Sequence, residues 1–126
     1  MKAVQPEAQA IAIVDDDEDV RKAVHAVLRS AGLHSRSFAS AEEFLGSSER
    51  CETACLITDI EMPGMSGLDL QARLADDGCP IPIIFITAYG DTRTRTRAMN
   101  AGALDFLQKP FDDNVLLERI RAALGT

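Results

Sequence analysis

Three short runs of uninterrupted apolar residues, each closed by a polar one, limit most strongly how this chain can fold. They are residues 10–14 (AIAIV), 54–58 (ACLIT) and 81–86 (IPIIFI). A half-exposed strand alternates apolar and polar positions, so runs without alternation read as strands buried on both faces. The segments between them carry helical spacing instead. In residues 17–30, Val20, Val24, Val27, Leu28 and the following Ala31 recur at that spacing, and Gly32 stands where a helix stop is expected.

Residues 33–38 alternate like a strand with one polar face. Ser40 and Glu43 form a capping box that opens a short helix to Leu45. Residues 61–67 (EMPGMSG) are turn chemistry, after which Ser66 and Asp69 cap a helix through Leu74. Residues 91–101 predict a helix stopped by Gly102, and residues 103–107 a last strand. Asp112 then caps a final helix with an apolar stripe of Leu116, Ile120, Ala123 and Leu124. Five strands and five helices in strict alternation predict an α/β fold: a doubly wound five-stranded parallel sheet, order 2-1-3-4-5, covered on both faces. The 126 residues are expected to be one domain with a core at about 10–124.

Composition narrows the function. The formal charge of −7 argues against direct nucleic-acid binding, which needs a basic surface. No apolar run reaches the ~20 residues needed to span a bilayer, and residues 1–9 carry no apolar stretch that would make a signal peptide. A cytoplasmic location and no membrane partner are expected. Cys51, Cys55 and Cys79 are an odd set in a chain without an export signal, so they are expected to be reduced, small buried side chains.

The predicted topology brings particular polar residues to one edge of the sheet. Strand one ends in Asp15 and Asp16, strand three in Asp59 and strand four in Thr87, and strand five is followed by Lys109. In doubly wound sheets ligands bind beyond the carboxyl ends of the strands, at the switch point. Singly, each residue has a plain explanation. Asp17 and Asp19 keep it, as carboxylates opening a helix. The other residues acquire their meaning together. Two carboxylates about 4 Å apart repel by ~4 kcal/mol at an effective dielectric near 20. A divalent cation relieves this, and an oxygen-only set suits Mg²⁺ or Mn²⁺ rather than zinc. Cation, ammonium and hydroxyl around a carboxylate are what phosphoryl transfer requires.

The segments IAIVDDDEDVR, CLITDIEMPGMSGLDL, PIIFITAYG and AGALDFLQKPF resemble bacterial two-component response-regulator receiver domains. The likeness is nearest to receivers of the nitrogen-fixation transcriptional regulator type and runs from about Ile11 to Leu124. It implies a flavodoxin-like fold and a signalling module rather than a conventional enzyme. The resemblance further implies that Asp59 accepts a phosphoryl group from a sensor histidine kinase. It implies Mg²⁺ (or Mn²⁺) held directly by Asp16, mainly through water by Asp15, and by Asp59 and the backbone carbonyl of Glu61. Lys109 contacts the phosphoryl group, across a cis bond to Pro110, Thr87 hydrogen-bonds it, and Phe106 is the switch aromatic. That position often carries Tyr in the family; Phe106 has no hydroxyl, so ring burial must supply the bias.

Glu61 and Tyr89, two residues beyond Asp59 and Thr87, are expected to govern phosphoryl lifetime. The helix from Asp91, the fifth strand and the final helix form the expected output surface. Arg93 and Arg97 there, opposite Glu118, Asp112 and Asp113, suit a homodimer formed on phosphorylation. An FMN binder would need a phosphate loop that the run of acids after strand one would repel. An aspartyl phosphatase would carry its nucleophile on strand one, with added strands or a cap.

Overall fold

All four residues of the first strand are buried, in keeping with a strand covered on both faces. The computed structural model describes residues 10–48, 50–88 and 90–125. Among these, the order is β1 (Ile11–Val14), α1 (Glu18–Ser30), β2 (Ser35–Phe38), α2 (Ala41–Leu45), β3 (Cys55–Thr58), α3 (Gly67–Asp76), β4 (Ile83–Thr87), α4 (Thr92–Asn100), β5 (Asp105–Gln108) and α5 (Asp113–Leu124). A 3-10 turn at Arg50–Glu52 precedes β3. All strand pairs are parallel, in the order β2-β1-β3-β4-β5 that the sequence predicts.

Strand parity decides which layer each core residue joins, because successive side chains point to opposite faces. Ile11 and Ile13 of β1, Cys55 and Ile57 of β3, and Ile84 and Ile86 of β4 pack with Val24 and Leu28 of α1 and Leu116 and Ile120 of α5. Their neighbours Ala12, Val14, Leu56 and Phe85 face the other way. With Phe106 they meet Phe44 of α2, Leu70 and Leu74 of α3, and Ala98 of α4.

Each of the five described helices starts on a Ser or Asp N-cap: Asp17, Ser40, Ser66, Asp91 and Asp112. The Ser66–Asp69 capping box is complete. At α2 the box is offset: Ser40 accepts the Glu43 N–H, but the Glu43 carboxylate takes the N–H of Ala39.

Two expectations need correction. The second, fourth and fifth strands begin later than the apolar runs that announce them. Leu33 N–H returns to Leu28 O, Cys79 N–H to Leu74 O, and Ala103 N–H to Ala98 O, each just after a glycine with positive φ. These closures terminate α1, α3 and α4; the first and last claim Leu33 and Ala103, which sequence pattern assigns to strands, while before β4 the Ile81 N–H turns to Cys79 O. Secondly, Cys51 and Cys79 form a disulfide, with 5.1 Å between their Cα atoms and 28 residues between them in sequence. The turn ending α3 lies against the 3-10 turn, a proximity that an odd cysteine count does not reveal. Cys51 is exposed, while Cys55 is the buried free thiol, its pKa pushed up to about 12 by burial. Tyr89 and residues 1–9 lie outside the described residues.

Candidate functional site

Asp15, Asp59 and Lys109 each stand one residue beyond a strand, yet the sheet still holds their backbones. Asp15 N–H donates to Phe38 O, Asp59 N–H to Val14 O (both 3.1 Å), and Lys109 N–H to Thr87 O (2.8 Å). The hydrogen-bonded ladder thus runs on into the site and fixes where these side chains start.

The Lys109 ammonium lies 3.0 Å from Asp59 Oδ2 and 3.1 Å from Asp15 Oδ2. The second Asp59 oxygen, Oδ1, accepts N–H groups from Ile60 (2.6 Å) and Glu61 (3.3 Å), which sets the plane of the carboxylate. Asp15 Oδ1 accepts the Asp17 N–H at 2.9 Å, and the Asp15 carbonyl accepts from Arg21 Nη1 at 2.7 Å. Asp15 and Asp59 are buried, whereas Asp16 is exposed at the rim. Oxygen atoms of Asp15, Asp16 and Asp59 all fall within 4.8 Å of one another.

Burial raises the Asp15 pKa, and the bonds from the Asp17 N–H and Lys109 only partly oppose it. Burial also pulls the Lys109 ammonium down, but its hydrogen bonds to Asp59 and Asp15, with the charge attraction of both carboxylates, outweigh that and hold it above the ordinary lysine value. Three carboxylates against one ammonium leave negative charge uncompensated. A hard divalent cation fits this oxygen-only donor set.

Thr87 is buried at the end of β4, and Lys109 precedes Pro110 through a cis peptide bond. The Glu61 side chain is exposed while its N–H turns inward to Asp59. Asp17 caps α1 and accepts the Asp19 N–H, the plain structural role expected of these two acids. Phe106 is only 5% exposed, so its ring is already packed inside the α4–β5 layer here. Ring burial therefore needs no further event at Asp59 in this arrangement.

Two contributors escape sequence reasoning. Gly67 donates its N–H to Ile60 O at 2.7 Å, and a Cβ at this position would run into the Asp59 carbonyl oxygen. The EMPGMSG segment announces a turn but not this close approach. Arg21, six residues after Asp15, is indistinguishable in sequence from any surface arginine of an amphipathic helix.

An open parallel sheet with two buried carboxylates, an exposed one and a lysine at its switch point defines a doubly wound α/β module with an acidic site at the carboxyl ends of its strands. Comparison with known proteins narrows this. Residues 11–121 match the response regulator receiver domain family. The chain is 45% identical over 124 residues to the response regulator protein TodT of Pseudomonas putida, covering 98% of this chain and 55% of that protein. It is 39% identical over 120 residues to the transcriptional regulatory protein FixJ of Azorhizobium caulinodans, covering 95% of this chain and 57% of that one. The crystal structure of FixJ-N superposes with a TM-score of 0.81 at 41% identity, over 91% of this chain and 92% of the other. The chain belongs to the response-regulator receiver domain family. It spans a little over half the length of these two full-length relatives. No helix among the described residues is long and apolar enough to cross a membrane.

Proposed function

We propose that this domain, folded over residues 10–124, is the phosphoacceptor of a two-component phosphorelay. It takes a phosphoryl group from a sensor histidine kinase onto Asp59 and passes the change to an output domain or partner that acts in transcription. The observation that carries this reading is the buried Asp59 carboxylate, one oxygen fixed by backbone N–H groups and the other facing Lys109. The transcriptional output rests on the likeness to FixJ, a transcriptional regulatory protein.

An Asp59 oxygen attacks phosphorus, forming an acyl phosphate as the P–N bond of the donor phosphohistidine breaks. The departing imidazole nitrogen keeps the bond's electrons and takes up a proton. Lys109 neutralises charge on the phosphoryl oxygens, and the Thr87 hydroxyl hydrogen-bonds them. Asp15, Asp16, Asp59 and the Glu61 carbonyl hold Mg²⁺ or Mn²⁺, which when bound supplies further charge neutralisation. The chain catalyses only its own phosphorylation and dephosphorylation. Glu61, with Tyr89, sets the lifetime of the acyl phosphate; an unchanged decay rate in Glu61→Ala would remove Glu61 from that role.

Incubation with acetyl phosphate and Mg²⁺ tests the function. A receiver takes up one phosphoryl group per chain and keeps it for a measurable time; turnover of many equivalents would indicate a phosphatase instead.

The cation assignment has its own expectation. Asp16→Ala weakens Mg²⁺ binding strongly and Asp15→Ala less so, because Asp16 is the direct ligand. The proton that Asp15 holds to higher pH competes with the cation, so wild-type affinity falls on acidification earlier than for ordinary aspartates. Titration of both variants and the wild type from pH 7 to 5 checks this; unchanged binding in Asp16→Ala would refute the ligand set.

For output, we propose that α4, β5 and α5 form the switched surface and a homodimer contact. Arg93, Arg97, Glu118 and Asp113 are exposed there, whereas the Asp112 carboxylate is engaged as the cap of α5. A reciprocal two-fold contact of this kind is salt-sensitive. Sedimentation with and without beryllofluoride, a phosphoryl mimic, should show a mimic-dependent dimer that weakens at high salt. A monomer under every condition would exclude it.

A further inference from the structure

The ring of Phe106 carries no hydroxyl to anchor it, yet it is held from three sides. On one side its edge lies against Gly90: a Cβ built there would sit 2.6 Å from Phe106 Cε1 and 3.3 Å from Thr87 Cγ2. The ring, Gly90 and the Thr87 methyl thus share one small space, with no room for a side chain between them. On the core side Phe85 lies 6.4 Å away, centroid to centroid. The third neighbour is Arg95, from the second turn of α4. Its guanidinium carbon stands 5.9 Å from the ring centroid, and its Nη1 donates to the Phe106 carbonyl at 3.3 Å.

Those two contacts do different things. β5 is the outer strand of the sheet, so one row of its backbone groups faces away from β4. At Phe106 the N–H is taken by Asp105 Oδ1 (2.7 Å), and the carbonyl by Arg95. Asp105 Oδ2 in turn accepts from Arg119 Nε of α5 at 2.6 Å. The guanidinium therefore fastens α4 to the backbone of β5, and the same group covers the face of the ring.

We infer that Arg95 is the positioning residue of the switch: it holds the Phe106 ring inward against Gly90 and Thr87, in place of the missing phenolic hydroxyl. This rests on the receiver reading, with Asp59 as acceptor. A ring held inward keeps the Thr87 methyl packed on Gly90 and so biases Thr87 towards a phosphoryl group on Asp59. Arg95 touches neither Asp59 nor the phosphoryl group and acts only through Phe106.

The test compares wild type with Arg95→Met, which keeps an unbranched apolar stem, and Arg95→Lys, which keeps the charge. Beryllofluoride affinity is measured with saturating Mg²⁺ at a protein concentration where the chain is monomeric. Mg²⁺ affinity alone and the Phe106 ring resonances are recorded alongside. Arg95→Met is expected to weaken beryllofluoride binding roughly three- to tenfold, the scale of one cation–π contact with one charged hydrogen bond. Mg²⁺ affinity should stay unchanged, the ring resonances should move, and Arg95→Lys should recover part of the loss. Wild-type beryllofluoride affinity in Arg95→Met, or an equal loss of Mg²⁺ affinity, overturns the inference. If wild type fails to bind the mimic, or Asp59→Asn binds it equally well, the receiver reading falls and the inference with it.

Discussion

Lys109→Met is expected to lower the melting temperature of the metal-free protein by roughly ten degrees and to slow acetyl phosphate labelling at least about a hundredfold. The ammonium is the cation within hydrogen-bond reach of both Asp15 and Asp59, whose side chains are only 4% and 11% exposed. Removing one partner of a buried ion pair leaves the others without compensation, which costs about 3 kcal/mol, towards the low end because Lys109 is itself partly exposed. Methionine preserves the apolar stem, so packing changes little. Mg²⁺ should return part of the lost stability, since it supplies positive charge to the same carboxylates. Labelling should not recover with it, because Lys109 is proposed to neutralise the phosphoryl oxygens itself. Thermal unfolding with and without Mg²⁺, beside labelling rates, separates the two effects. A variant as stable as wild type without metal would show that the carboxylates do not depend on this lysine.

Gly67→Ala should be nearly as damaging, for a steric reason. The atoms its Cβ would meet are the Asp59 carbonyl oxygen and the Ile60 Cα, both backbone and therefore unable to swing aside. The collision costs about 3 kcal/mol if the loop stays put. If the loop moves, Asp59 moves with it, and a displacement near 1 Å costs on the order of a hundredfold in rate. Gly32→Ala is the informative control. Gly32 has φ of +76° but nothing within 4 Å of the added carbon. It should cost about 1–2 kcal/mol of backbone strain and leave labelling untouched. Equal labelling rates in Gly67→Ala and wild type would mean the loop has slack that the structure does not show.

The difference between these two glycines illustrates what the sequence does and does not carry. Gly32 is legible because a stop after an apolar helical stripe is a local pattern. Gly67 is not, since its constraint comes from the backbone eight residues earlier folding back on it. The same division runs through the chain. The fully apolar runs predict buried parallel strands, and with strict alternation they are enough to place Asp15, Asp59, Thr87 and Lys109 at one edge. Strand starts are misplaced where a helix closes on itself through Leu33 or Ala103, residues whose apolar character suits either role. The Cys51–Cys79 bond and the grip of Arg95 on Phe106 join segments whose proximity exists only in three dimensions. The plain roles of Asp17 and Asp19 were legible, because capping depends on neighbours only two or three residues away.

The central claim is that Asp59 is the phosphoacceptor, and one measurement addresses it directly. The protein is incubated with acetyl phosphate and Mg²⁺, the acyl phosphate is trapped by reduction, and the modified residue is located by peptide mass spectrometry. The account predicts one phosphoryl group per chain, carried on Asp59, and no uptake by folded Asp59→Asn. A label on any other residue of the wild-type protein, or undiminished uptake by Asp59→Asn, would contradict it.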